Sequence, residues 1–141
     1  MGRAWVDFDA PDLAARIEQL NDAERDELPF GVIHLDRDGT VLFYSATERR
    51  QSGNPNSPKG QNFYALSRCM GGDNFRGRIA RALEEGRVDL EIAWPGDYGD
   101  PRRELRIRVQ SAQDGGVWLC IGRDVVAAAA QPCAKQGKPQ A

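Results

Sequence analysis

Apolar positions in this chain follow a helical spacing, then alternation, then a helical spacing again, and finally alternation. Leu13, Ala14, Ile17 and Leu20 recur three and four residues apart and predict a helix within 12–20. Residues 22–28 predict a second short helical turn, stopped by Pro29, whose ring crowds the preceding turn and which has no N–H to donate. Two β-rich runs, Phe30 to Leu35 and Thr40 to Ser45, flank Asp36-Arg37-Asp38-Gly39, the composition of a hairpin turn. Residues 48–60 are rich in Gly, Pro, Asn and Ser and predict mostly loop, with at most one helical turn near 46–50. Asp73 or Asn74 is placed to cap a helix whose apolar face is Phe75, Ile79 and Leu83 and whose end is Gly86. Three β-patterned runs complete the pattern at 88–94, 103–111 and 117–123. Alternation is strict in Glu104-Leu105-Arg106-Ile107-Arg108-Val109, which predicts one buried face and one wet face.

These elements predict an α+β domain with an N-terminal helical cap at 1–28 and a sheet domain at 29–125. Residues 126–141 have no periodicity and are expected to be a disordered tail. With 141 residues, 40% of them apolar, the chain can bury one core and not two. A net charge of -2, from 19 Lys+Arg against 21 Asp+Glu, provides no field toward nucleic acid or a membrane. Arg102, Arg103, Arg106 and Arg108 therefore read as the wet side of a strand rather than a nucleic-acid site. No run reaches the roughly 18 apolar residues of a membrane span, and the opening residues lack the apolar region of a signal peptide, so a cytoplasmic protein is expected.

Candidate chemistry is sparse. Cys69, Cys120 and Cys133 are odd in number and widely spaced, which fits neither a disulfide framework nor a zinc site, and no metal is expected. Cys120 lies in an apolar strand and reads as core; Cys133 lies in the tail. The single histidine, His34, falls inside a hairpin strand and reads as a strand residue rather than a haem ligand. One His without a nucleophile constellation, and no glycine-rich phosphate loop, argue against an enzyme. By its residues alone, Cys69 is an ordinary loop cysteine, Tyr44 a core aromatic, and Glu48 a solvated carboxylate beside Arg49 and Arg50.

A longer motif changes that reading. The run Phe30-Gly31-Val32-Ile33-His34-Leu35-Asp36-Arg37-Asp38-Gly39, then Tyr44 and Glu48, then Gly60-Gln61-Asn62-Phe63-Tyr64 and Cys69, resembles the photoactive yellow protein family. Asp97-Tyr98 and Trp118 also find counterparts, and the likeness spans about 13–123. It implies a PAS fold: a central antiparallel five-stranded sheet flanked by helices. It further implies a blue-light photoreceptor that carries 4-hydroxycinnamic acid (p-coumaric acid) as a thioester on Cys69. Tyr44 and a protonated Glu48 would bind the phenolate, and Ser52, at a position where the family has Thr, would support the tyrosine. Trans–cis isomerisation, proton transfer from Glu48 and loosening of the cap would follow.

The implied partner is a downstream signalling protein, with the chain a monomer or weak homodimer. The alternative is a chromophore-free PAS sensor or dimerisation module binding another small ligand. The chain departs from the family at Asn54 (Arg in the family), Arg68 (Pro), Gly96 (Phe) and Asp100 (Met).

Overall fold

In a computed structural model the described residues are 6–53, 56–66, 71–95 and 102–123. Two short helices, α1 (Leu13–Glu18) and α2 (Asp22–Asp26), open the chain. A hairpin of β1 (Gly31–Leu35) and β2 (Val41–Tyr44) leads into α3 (Ala46–Ser52). A 3-10 turn (Phe63–Leu66), a π-turn (Asp73–Gly77) and α4 (Arg78–Glu85) precede a meander of β3 (Asp89–Pro95), β4 (Glu104–Ser111) and β5 (Val117–Gly122). The five strands form one antiparallel sheet in the order β2-β1-β5-β4-β3. This is the α+β PAS architecture that the sequence predicts.

Both faces of the sheet are covered. One carries Ile33, Leu35, Ile107, Val109, Leu119 and Ile121 against Phe63, Phe75 and Ile79. The other sets Val32, Trp118 and Cys120 against Leu13, Ala14, Ile17 and Leu28 of the cap. Two-sided burial explains why β1 and β5 read as continuous apolar runs while β4 alternates. The hairpin turn is held by Asp36, whose Oδ1 accepts from the N–H groups of Asp38 and Thr40 at 2.9 Å each. Gly39 sits there at φ 96°, a left-handed conformation that suits glycine.

Three expectations need correction. The helix after residue 72 is not capped by Asp73 or Asn74. Its first turn is π-type with Gly72 at the cap position, and the Asp73 carboxylate instead accepts from Arg81 at 3.1 Å. Phe75 and Ile79 are buried as predicted, Leu83 packs partly, and Gly86 closes the helix at φ 97°. Residues 46–52 form two turns of helix rather than mostly loop, because Ser45 caps them by accepting from the Glu48 N–H at 3.1 Å and Gly53 ends them at φ 82°.

The arginine face of β4 is only partly wet. Arg108 donates to the Phe8 and Ala10 carbonyls at 2.8 and 2.7 Å, and Arg106 donates to Asp9 at 2.6 Å and Glu91 at 2.7 Å. Gln110 receives the Ala14 N–H at 2.8 Å and donates to Pro11 O and to Asp89, both at 3.0 Å. Alternating polarity in β4 marks a polar dock for the N-terminal segment, which periodicity alone reads as solvent. The predicted tail, with Cys133, lies outside the described residues.

Candidate functional site

Tyr44 ends β2, and the next four residues turn the chain into α3, whose 48 and 52 positions share one face four residues apart. The sequence builds this bend from Ser45, whose hydroxyl oxygen accepts from the Val32 N–H at 3.0 Å as well as capping α3. Thr47 then ties the helix to the cap by donating to the Leu28 and Asp26 carbonyls at 2.7 and 2.9 Å. Asp26 returns the tie by accepting from the Ala46 N–H at 2.8 Å. The first turn of α3 is thus bound to the end of α2.

Of the three expected site residues, Tyr44 and Ser52 meet, and Glu48 lies one turn before Ser52 on α3. The Tyr44 and Ser52 hydroxyls lie 3.5 Å apart, either able to donate, and Tyr44 packs against the apolar cluster that contains Phe63 and Phe75. Ser52 and Glu48 are both buried, so the solvated turn carboxylate that composition suggests for Glu48 is overturned. Its partner is Arg123, which sequence reasoning missed. Arg123 Nη1 and Nη2 each donate at 2.8 Å, one to Glu48 Oε1 and one to Oε2, and both side chains are only 5% exposed.

With both oxygens accepting from a guanidinium, Glu48 is ionised in this arrangement. The expectation of a protonated Glu48 concerns the chromophore-bound state, in which Arg123 is a further partner to account for. The signal was present in the phase of β5: Val117, Leu119 and Ile121 face the core, so residue 123 continues on that side and brings a charge with it. A charge in such a position needs a buried acid.

Around the ion pair, the Gln51 side chain accepts from Arg123 at 3.4 Å and donates to Pro29 O at 3.1 Å, while Arg103 donates to the Gln51 carbonyl at 3.0 Å. Gly31 lies against Glu48 so closely that a Cβ there would overlap the carboxylate. On its outer side Arg123 borders a cleft of about 300 Å³, shared with Asp7, Phe8, Asp9, Phe30 and Arg106.

The remaining candidates fall elsewhere. Cys69, with Arg68 and the 96–101 loop, lies outside the described residues, as does Asn54. Cys120 is buried between the sheet and the cap, where desolvation pushes its thiol well above the usual range. His34 stacks on Trp118 with ring centres 4.2 Å apart, and its Nε2 is 3.0 Å from Asp114 at an angle short of a hydrogen bond. No cluster of three metal-ligating side chains occurs among the described residues, nor any helix long and apolar enough to cross a membrane.

The paired hydroxyls of half-buried Tyr44 and buried Ser52, with a buried carboxylate one turn away and aromatic rings beside Tyr44, suit a ligand that presents a phenolic oxygen on a flat ring. No family model matches the chain, but similar proteins are known. The chain is 32% identical over 99 residues to photoactive yellow protein of Cereibacter sphaeroides, covering 68% of this chain and 80% of that protein. It is 27% identical over 121 residues to photoactive yellow protein of Rhodothalassium salexigens, covering 84% and 97%. Its fold matches the photoactive yellow protein domain of the sensor histidine kinase Ppr from Rhodospirillum centenum with a TM-score of 0.70 and 28% identity, over 78% of this chain and 99% of that domain. The PAS domain of the Cronobacter turicensis RpfR quorum-sensing receptor, at 19% identity and a TM-score of 0.56, shares the fold alone.

Proposed function

The chain belongs to the photoactive yellow protein family, and from that premise we propose that it is a blue-light photoreceptor carrying 4-hydroxycinnamic acid as a thioester on Cys69. The observation that carries this reading is the Tyr44–Ser52 hydroxyl contact where β2 meets α3, with a buried Glu48 one turn earlier on the same helix. Bound there, the chromophore supplies visible absorption and a double bond that isomerises from trans to cis on excitation.

The chain's own residues do the rest. Cys69 acts as a thiolate nucleophile toward an activated acyl group, and the charge on adjacent Arg68 favours the thiolate. Tyr44 donates its hydroxyl to the phenolate oxygen, and Ser52 fixes the direction of that hydroxyl. Glu48 donates as well, but only after it takes up a proton and surrenders at least one of its bonds to Arg123.

When Glu48 gives its proton up, its carboxylate takes back both bonds from Arg123, and this re-pairing pulls α3 toward the end of β5. The helix that carries Glu48 is bound to the cap through Thr47 and Asp26, so the strain reaches residues 1–28 first. Release of that cap from the 29–125 domain is the output, read by a downstream signalling protein. In Rhodospirillum centenum a similar domain is part of a sensor histidine kinase.

Reconstitution with activated 4-hydroxycinnamic acid tests the proposal: a light-sensitive visible band on Cys69 supports it. An intact thiol that takes no adduct leaves a chromophore-free PAS module.

A further inference from the structure

The Glu48–Arg123 pair joins α3 to the residue just after β5, across 75 positions of sequence, with both side chains withdrawn from water. Arginine keeps its charge at any accessible pH, so a buried guanidinium keeps an anion close or is stranded. Glu48 is that anion here.

Other polar groups come from neighbouring elements. Tyr44 comes from β2, and Arg103 reaches the Gln51 carbonyl from the start of β4. Asp7, Asp9 and Arg106 line the cleft beyond Arg123, with Asp9 already held by Arg106 at 2.6 Å. Arg123 grips both oxygens of Glu48.

The charges at this point impose a constraint. Glu48 as carboxylate and Arg123 as guanidinium sum to zero. A phenolate placed beside Tyr44, on the photoreceptor reading on which this inference rests, makes the sum -1 unless Glu48 takes a proton. Two arrangements are neutral: acid plus phenolate, or carboxylate plus phenol. Arg123 serves both anions, but its fork geometry matches the carboxylate and stabilises the second arrangement more.

We propose that Arg123 is a positioning residue for the photocycle: by gripping Glu48 it sets which of two buried acids, Glu48 or the phenol, holds their shared proton. It holds Glu48 ionised in the chromophore-free chain and draws the loaded protein toward the colour of the protonated phenol. Nothing in the chain's overall charge or motif spacing signals this role.

Infrared spectroscopy of the chromophore-free chain near neutral pH gives the first readout. The wild type is expected to lack a buried protonated-carboxyl band, Arg123→Gln to gain one, and adding Glu48→Gln to remove it again. The second readout is a dark pH titration of the visible band in the loaded protein. Arg123→Gln is expected to let the phenolate colour persist to a pH lower by one unit or more, a tenfold or greater change in proton affinity. Arg123→Lys, which keeps the charge and loses the fork, is expected to fall between and serves if the glutamine variant does not fold. A carboxyl band already present in the wild type, one unmoved by Arg123→Gln, or a midpoint that stays or rises would overturn the inference. Should no adduct form, the photoreceptor reading fails separately, and the infrared comparison still decides whether Arg123 sets the charge of Glu48.

Discussion

Glu48 and Arg123 meet through two parallel hydrogen bonds of 2.8 Å, and each side chain is 5% exposed. Burial makes the pair unforgiving: taking one partner away strands the other charge, whereas replacing both removes the problem. Glu48→Gln or Arg123→Met alone is expected to lower the stability of the chromophore-free chain by about 3 kcal/mol or more, and the double variant by much less than the sum. Denaturant unfolding of the four proteins measures this, and additive losses would show that the pair is not coupled.

Gly31→Ala probes the same contact from the strand side. Gly31 sits in the middle of the sheet, in β1, paired with Ile121, and a methyl group there overlaps the Glu48 carboxylate. The variant is expected to displace Glu48 from Arg123 and to cost about 1–3 kcal/mol, the usual range for overpacking a filled site. In a Glu48→Gln background the ion pair with Arg123 is already gone, so Gly31→Ala should cost less there and the two changes should be non-additive in unfolding experiments.

Which parts of this were legible in the sequence follows from the range of the interactions involved. The hairpin and meander were readable because alternation and turn residues are local, and Gly39 and Asp36 do in the structure what their types imply. The two-turn length of α3 was hidden because it runs straight into the Gly-, Pro-, Asn- and Ser-rich segment 53–60, which makes the whole stretch read as loop. Tyr44, Glu48 and Ser52 were placed by the family motif rather than by periodicity. Arg123 and the dock on β4 were missed for one shared reason: each is a polar residue whose partner lies 75 to 100 positions away, beyond any window in which a pattern is counted.

The dock makes a prediction about the cap. Arg108 ties two carbonyls of residues 8 and 10 to β4, beside the Arg106–Asp9 and Gln110 contacts, while α1 is also held by the apolar layer beneath it and by Trp118, whose indole N–H donates to Glu18 at 2.8 Å. Arg108→Ala is expected to weaken docking of the N-terminal segment by about 1–3 kcal/mol while leaving the sheet intact. Hydrogen exchange should then rise at residues 6–20 and stay unchanged in β1 and β5; uniform exchange would mean that the segment does not open separately.

The thiols should separate by reactivity. Desolvation between sheet and cap holds Cys120 in its neutral thiol form well above the ordinary titration range, so little thiolate exists near pH 8. Alkylation of the folded chain at that pH is expected to spare Cys120, and unfolding to expose it. Rapid modification of Cys120 in the native state would show that the cap opens far more readily than its contacts imply.

The absorption spectrum of the chain after reaction with activated 4-hydroxycinnamic acid tests the central claim most directly. The account predicts a visible band that bleaches in blue light, returns in darkness, shifts without vanishing in Glu48→Gln and is absent from Cys69→Ala. Unreacted Cys69 with no visible band, or a covalent coloured adduct that persists in Cys69→Ala, would contradict it.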